Sequence, residues 1–315
     1  MPESTQAKRL PGSFLSTGSL HFYDWEANLI GQEQAIGGHP GMQPPIPAFR
    51  TATAEWKAAG RNLYHSDEDR QLADDGAFPT AYDAALLASQ QPAVSDCSSC
   101  SSPRPRYYLF ASQASHKLVA GPEYSKAGLF LGSGSHRSPQ NGLIVEVPAG
   151  TVLVSELPTN RSGSLDASAQ PGWYALRDRP ALSGSEITDP LVGAGPAGEP
   201  SVTFAFTKKG RQAFQAVTKE IAQFGRSEAI GKISAEQAAA LSGHFAVILD
   251  NEVKTRPIIN FAENPQGIEG RTGAEISGGF HTKQQARELA VVLRSGATPL
   301  KLVYLRQVPD RGYRS

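Results

Sequence analysis

Apolar positions change period along SVTFAFTKKGRQAFQAVTKEIAQFG (201–225). Val202, Phe204 and Phe206 alternate, which puts them on one face of a strand. Phe214, Val217, Ile221 and Phe224 then recur at helical spacing, and Gly225 reads as the helix stop. HFAVILDNEVKTRPIIN (244–260) reads as strand, tight turn and strand, with DNE as the turn and Pro257 suited to an edge. In SGGFHTKQQARELAVVLRSGATPLKLV (277–303), Thr282 is placed as an N-cap and Gln285 completes a capping box. Ala286, Leu289, Ala290 and Leu293 make one apolar stripe, Gly296 stops the helix, and LKLVYL is a last strand. Upstream, SLHFYDWEANLIG (19–31), RYYLFAS, HKLVAG and GLIVEVPAGTVLVSEL carry strand patterns. GWYALRDRPALSGSEITDP (172–190) reads as a strand followed by turns. TATAEWKAAGRNLY and TAYDAALLASQ read as short helices, the second capped by Thr80. Residues 1–18 lack periodicity and read as a flexible tail. The mixture of hairpins and helices, with few strand–helix–strand crossovers, predicts an α+β fold.

Composition narrows the function. The 315 residues hold 30 basic and 30 acidic side chains, so no global field favours nucleic acid or an anionic membrane. The apolar runs are too short to span a bilayer, and the N-terminal residues do not form a leader. Cys97 and Cys100 lie in SDCSSCSSPRP. They read as a candidate disulfide pair or two thiols in a loop, rather than a redox pair, because no buried strand and helix start frame them. Their oxidation would suit an extracytoplasmic compartment. No second ligand pair accompanies them for zinc. His21, His39, His65, His116, His136, His244 and His281 show no metal-ligand spacing, and the acid run of HSDEDRQLADDG lacks calcium spacing. GSGSH (132–136) is not followed by a helix, so it is no phosphate cradle. Phe22, Tyr23 and Trp25 suit a sheet core better than a peptide-binding face. No catalytic, cofactor or metal residue is predicted.

Four pieces in series carry a family resemblance: VTFAFTKKGRQAF, then FAVILDNEVKTRPIIN with Asp250, Glu252, Val253 and Pro257, then EISGGF, then ARELAVVLRSGATPLKL. In this order they resemble the large exoplasmic loop, the P1 domain, of SecD, a membrane subunit assisting the bacterial Sec preprotein translocase. LHFYDWEANLIG, YYLFASQASHKLVAGPE, VPAGTVLV and WYALRDRPALSGSEITDP fit more loosely.

The resemblance implies a ferredoxin-like base, here partial, with an inserted α+β head. Residues 19–31 and 282–310 would form the base and 32–281 the head, with 32–105 as an elaboration. The first base strand and helix have no counterpart, so residues 19–28 are expected to form an exposed edge that is mobile or pairs with another molecule. The chain would be the soluble loop of a bacterial membrane protein, ending where lipid begins. Implied partners are SecF and the SecYEG channel, reached through the membrane part, and unfolded preprotein, whose contact residues the sequence does not name. Two other readings stay open: an extracytoplasmic enzyme with an unrecognised site, and a stand-alone extracytoplasmic scaffold.

Overall fold

The computed structural model describes residues 19–30, 77–111, 116–131, 142–157, 170–195, 198–227, 229, 231, 233–277 and 282–295. In chain order its strands are β1 (Leu20–Asp24), β2 (Arg106–Phe110), β3 (Leu118–Glu123), β4 (Leu143–Val147), β5 (Thr151–Glu156), β6 (Gly172–Arg177) and β7 (Leu182–Ser183). They continue with β8 (Ile187–Ala194), β9 (Pro200–Phe206), β10 (Gly243–Leu249), β11 (Glu252–Thr255), β12 (Ile258–Ile259) and β13 (Ala274–Ser277). The helices are α1 (Trp25–Asn28), α2 (Ala81–Ser89), α3 (Gly128–Leu131), α4 (Lys208–Ser227), α5 (Ala235–Leu241) and α6 (Lys283–Ser295). This mixture is α+β. The helix read at TATAEWKAAGRNLY, the stop at Gly296 and the strand LKLVYL lie outside the described residues, as does the Gln285 side chain of the capping box.

Among the described residues the strands form three sheets. The largest runs β6-β5-β11-β10-β1-β7, with β12 also on β10. Only the short β5–β11 join is parallel; its neighbours pair antiparallel. The smaller sheets are β13-β9-β8 and β3-β2-β4. The β10–β11 hairpin closes through Asp250 and Asn251, both at positive φ (52° and 65°). Two successive left-handed residues match the right-handed twist of a hairpin, and Asp and Asn tolerate that region.

The structure corrects the exposed edge expected at residues 19–28. β1 is an interior strand, with Leu20 opposite Leu249 through to Asp24 opposite Phe245, and β7 covers part of its other side. Leu20 and Phe22 enter one core while Tyr23 enters another. A strand apolar on both faces needs partners on both edges as well. The division into base and head places β1 and β10 in different subdomains; here they share one ladder.

Helix α4 lays Phe214, Val217 and Ile221 across the core made by Phe22, Val202, Phe204, Phe206, Phe245 and Val247. Ala286, Leu289, Ala290 and Leu293 of α6 enter the same core, where α6 packs on β8 and β9. Gly225, read from sequence as a stop, lies two residues inside the end of α4. A Cβ there would meet Leu241 O at 3.0 Å and Phe261 Cδ1 at 2.9 Å, so the glycine serves close packing. A second core sets α2 against Tyr108, Phe110, Val145, Val147 and Leu153. Thr80 caps α2, its Oγ1 accepting from the Asp83 N–H at 3.2 Å. No helix among the described residues is long and apolar enough to cross a membrane.

Candidate functional site

The residues singled out from sequence do not converge. Phe22, Tyr23 and Trp25 are each buried to within 2% of full burial, so they are core. His116 stacks on Tyr82 at 4.2 Å. The backbone N–H of His244 donates to Glu26 Oε2 at 2.8 Å, and its Nδ1 lies 2.6 Å from Glu26 Oε1. His39, His65, His136 and His281 lie outside the described residues, as do the acid run and GSGSH. Cys97 and Cys100 are joined as a disulfide in the turn between α2 and β2. No helix starts there, so the dipole that activates a thiol is missing from this turn.

Next to that turn sits a buried charge pair that sequence reasoning did not find. Asp178, fully buried, follows β6, and Arg106 opens β2. Arg106 Nη2 donates to Asp178 Oδ2 at 2.9 Å and Arg106 Nη1 donates to Thr151 O at 2.9 Å. Tyr23 Oη donates to Asp178 Oδ1 at 2.9 Å, and the Ser101 N–H and hydroxyl donate to the same carboxylate at 3.0 and 2.8 Å. Burial by itself would raise the Asp178 carboxyl; Arg106 and the Ser101 donors outweigh it and hold the group below its ordinary range. Burial, then the Asp178 charge, pushes the Tyr23 phenol well up. Tyr23, Arg106 and Asp178 are buried and Ser101 half-buried, so the cluster ties β1, β2, β6 and the disulfide turn together. Removing one member of such a pair costs several kcal/mol, on the order of 3–5.

A second polar group lies at the start of α1. Asp24 caps the helix, its Oδ1 accepting from the Ala27 N–H at 3.1 Å. Burial, with the charges of Glu26 and Glu220, pushes its carboxyl up to about 7.

The surface offers a different feature at β8. Its flat side holds Ile187 in the core, but Leu191 is 60% exposed and Val192 39%. Within the small sheet β8 pairs only with β9, so its other long side has no strand partner among the described residues. Asp189 takes a positive φ of 53°, the ladder shifts between Thr188 and Leu191, and the Arg294 guanidinium caps the Pro190 carbonyl at 2.9 Å. Past that irregularity, Leu191–Ala194 runs as regular strand with no charged side chain. Val291, 54% exposed, lies one turn before Arg294 on α6, the helix that packs on β8. Sequence reading stopped at Asp189-Pro190 as a turn, although LVGA continues the strand; the clue was the β-branched pair Ile187 and Thr188 before the irregularity. Natural sheets guard exposed edges with charge, proline or bulges. Among the described residues the guard sits at one end, at Asp189 and Pro190.

Comparison with known proteins places this edge within a recognised unit. Residues 158–300 match the SecDF P1 head subdomain. The SecD subunit of Syntrophobacter fumaroxidans is 30% identical over 54% of this chain and 27% of its own length. The SecDF of Thermus thermophilus is 30% identical over 41% of this chain and 14% of its own. A solved SecDF, described as a membrane component that enhances protein export, aligns with 84% of this chain and 94% of that chain at 18% identity, with a TM-score of 0.30, too low to bear on the fold. The chain spans about a quarter or less of the length of the curated relatives it matches. Residues 158–300 thus match the SecDF P1 head subdomain, and the chain is similar there to the SecD and SecDF protein translocase subunits.

Proposed function

We propose that this chain acts in protein export as the extracytoplasmic P1 region of a SecD-type subunit, holding emerging unfolded preprotein transiently and doing no chemistry of its own. The observation that carries this reading is the uncharged, exposed stretch Leu191–Ala194 within the segment matched to the P1 head. A holder of many sequences needs apolar contact without charge selectivity, because fixed charges would reject half of its clients. Such contact is weak and releases quickly. In this reading SecF and the SecYEG channel are the partners, reached through a membrane part, and the proton gradient drives export from there by preventing backsliding.

The test is binding of the 315-residue chain to reduced, carboxymethylated α-lactalbumin, which stays unfolded, beside the native form of the same protein. Saturable binding in the micromolar range or weaker is expected for the unfolded form, with at least a tenfold preference over the native one. Absence of that preference overturns the reading.

A further inference from the structure

We propose that Leu191–Ala194 is a strand-addition site: an extended peptide joins the β13-β9-β8 sheet by hydrogen bonding to the open side of β8. This rests on the chain-binding reading above and assigns it a place and a mode. In an antiparallel ladder, alternate residues turn their N–H and C=O away from the partner strand. With β9 on one side, half of the backbone groups of Leu191–Ala194 point outward. Those groups recognise an extended backbone of any sequence, which side-chain pockets cannot do.

The site has bounds. At one end Pro190 has no N–H to offer, its carbonyl is held by Arg294, and Asp189 leaves the extended region. At the other end the chain turns, Gly195 donating its N–H to Glu199 O at 2.7 Å. The usable edge is four residues, roughly 13 Å at the usual strand rise. Successive side chains of an added strand alternate between the two faces. On one face they would lie beside Leu191 and on the other beside Val192, the residue opposite the core residue Val202, with Val291 of α6 on that side of the sheet.

The length also selects the occupant. A lasting pairing of two copies of this chain needs about 1,200 Å² or more of buried surface. Four residues of edge supply a small part of that. The edge therefore suits a client held briefly through a few backbone bonds, and its apolar flanks favour a client segment with alternating apolar side chains.

The experiment is hydrogen exchange of the 315-residue chain, alone and with a soluble peptide of alternating valine and threonine between terminal lysines. The same peptide N-methylated at alternate residues is the control: it keeps the side chains and loses one row of N–H donors. The outward amides of Leu191–Ala194 are expected to exchange rapidly in the chain alone and to slow at least fivefold with the peptide. The N-methylated peptide is expected to bind at least tenfold more weakly. Leu191→Asp and Val291→Asp, both at exposed positions, are expected to weaken binding several-fold without changing the melting temperature.

Equal binding of the two peptides would overturn the proposal, since side chains alone would then hold the client. Slow exchange at these amides without peptide would overturn it too: dependence on protein concentration would identify a second copy, and independence would identify the chain's own backbone on the edge. If carboxymethylated α-lactalbumin binds while Leu191–Ala194 gains no protection, strand addition fails and chain holding stands. If no unfolded probe binds, both fall.

Discussion

Asp24 and Asp178 show how one side-chain type is driven in opposite directions. Asp178 has a guanidinium and the Ser101 N–H and hydroxyl around it, which favour its charge; Asp24 has one N–H donor and two acidic neighbours, which do not. An unfolded aspartate titrates near 3.9. Between that pH and about 7 the folded chain binds more protons at Asp24 than the unfolded chain does. Stability from this group is therefore full below pH 4, falls as pH rises to 7 and is flat above. Asp24→Asn keeps a good cap and removes the titration. Urea unfolding at pH 5 and pH 8 should show the variant gaining on the natural protein at the higher pH, by on the order of 1–3 kcal/mol. Equal differences at both pH values would mean that the carboxyl is ionised throughout. Neither environment was legible in the sequence, because Tyr23, the Ser101–Arg106 stretch and Asp178 come from three separate segments and Glu220 sits far along the chain from Asp24.

At the level of elements, local pattern carried far where it was strong. The strand Val202–Phe206, the positions Phe214, Val217 and Ile221 of the α4 stripe and the Thr80 cap followed from spacing and turn chemistry, and so did the turn, although it is Asp250-Asn251 and Glu252 already belongs to β11. Glycine and proline were misread when their role was tertiary. Gly225 looks like a stop because glycine is common there, yet it lets Leu241 and Phe261 approach α4. Alanine would add helix propensity of about 1 kcal/mol. It would also force a Cβ against a backbone oxygen at 3.0 Å. Gly225→Ala is expected to lose about 1–2 kcal/mol net, since overpacking outweighs propensity. A calorimetric melt checks this; a gain in stability would show that the contact relaxes freely. Pro190 likewise read as part of a run of turns, while it marks an irregularity that β8 passes through.

For the whole molecule, the pairing of β1 with β10 decides what can fold alone. The stretch matched to the P1 head, 158–300, contains β10 but neither β1 nor β5. Phe22 of β1 stacks on Phe245 at 5.5 Å and meets Phe204 at 6.2 Å. Expressed by itself, the 158–300 segment would open the long edge of β10 and leave a gap where Phe22 sits, a combination that favours aggregation. It is expected to lack a cooperative melt and near-ultraviolet dichroism, whereas residues 19–295 regain both. A cooperative melt of the short segment would show that β1 is dispensable and would support a separable head.

By itself, the sequence determined the α+β class, most element positions and the relationship to SecD, because these depend on periodicity, turn chemistry and ordered motifs close together in the chain. The tertiary structure alone decided the interior place of β1, the Arg106–Asp178 pair and, among the described residues, the side of β8 that has no strand partner. The first two are relations between segments tens to hundreds of residues apart. Strand patterns state which face is buried but not which strand lies alongside, and a charge reads as solvated until the fold encloses it.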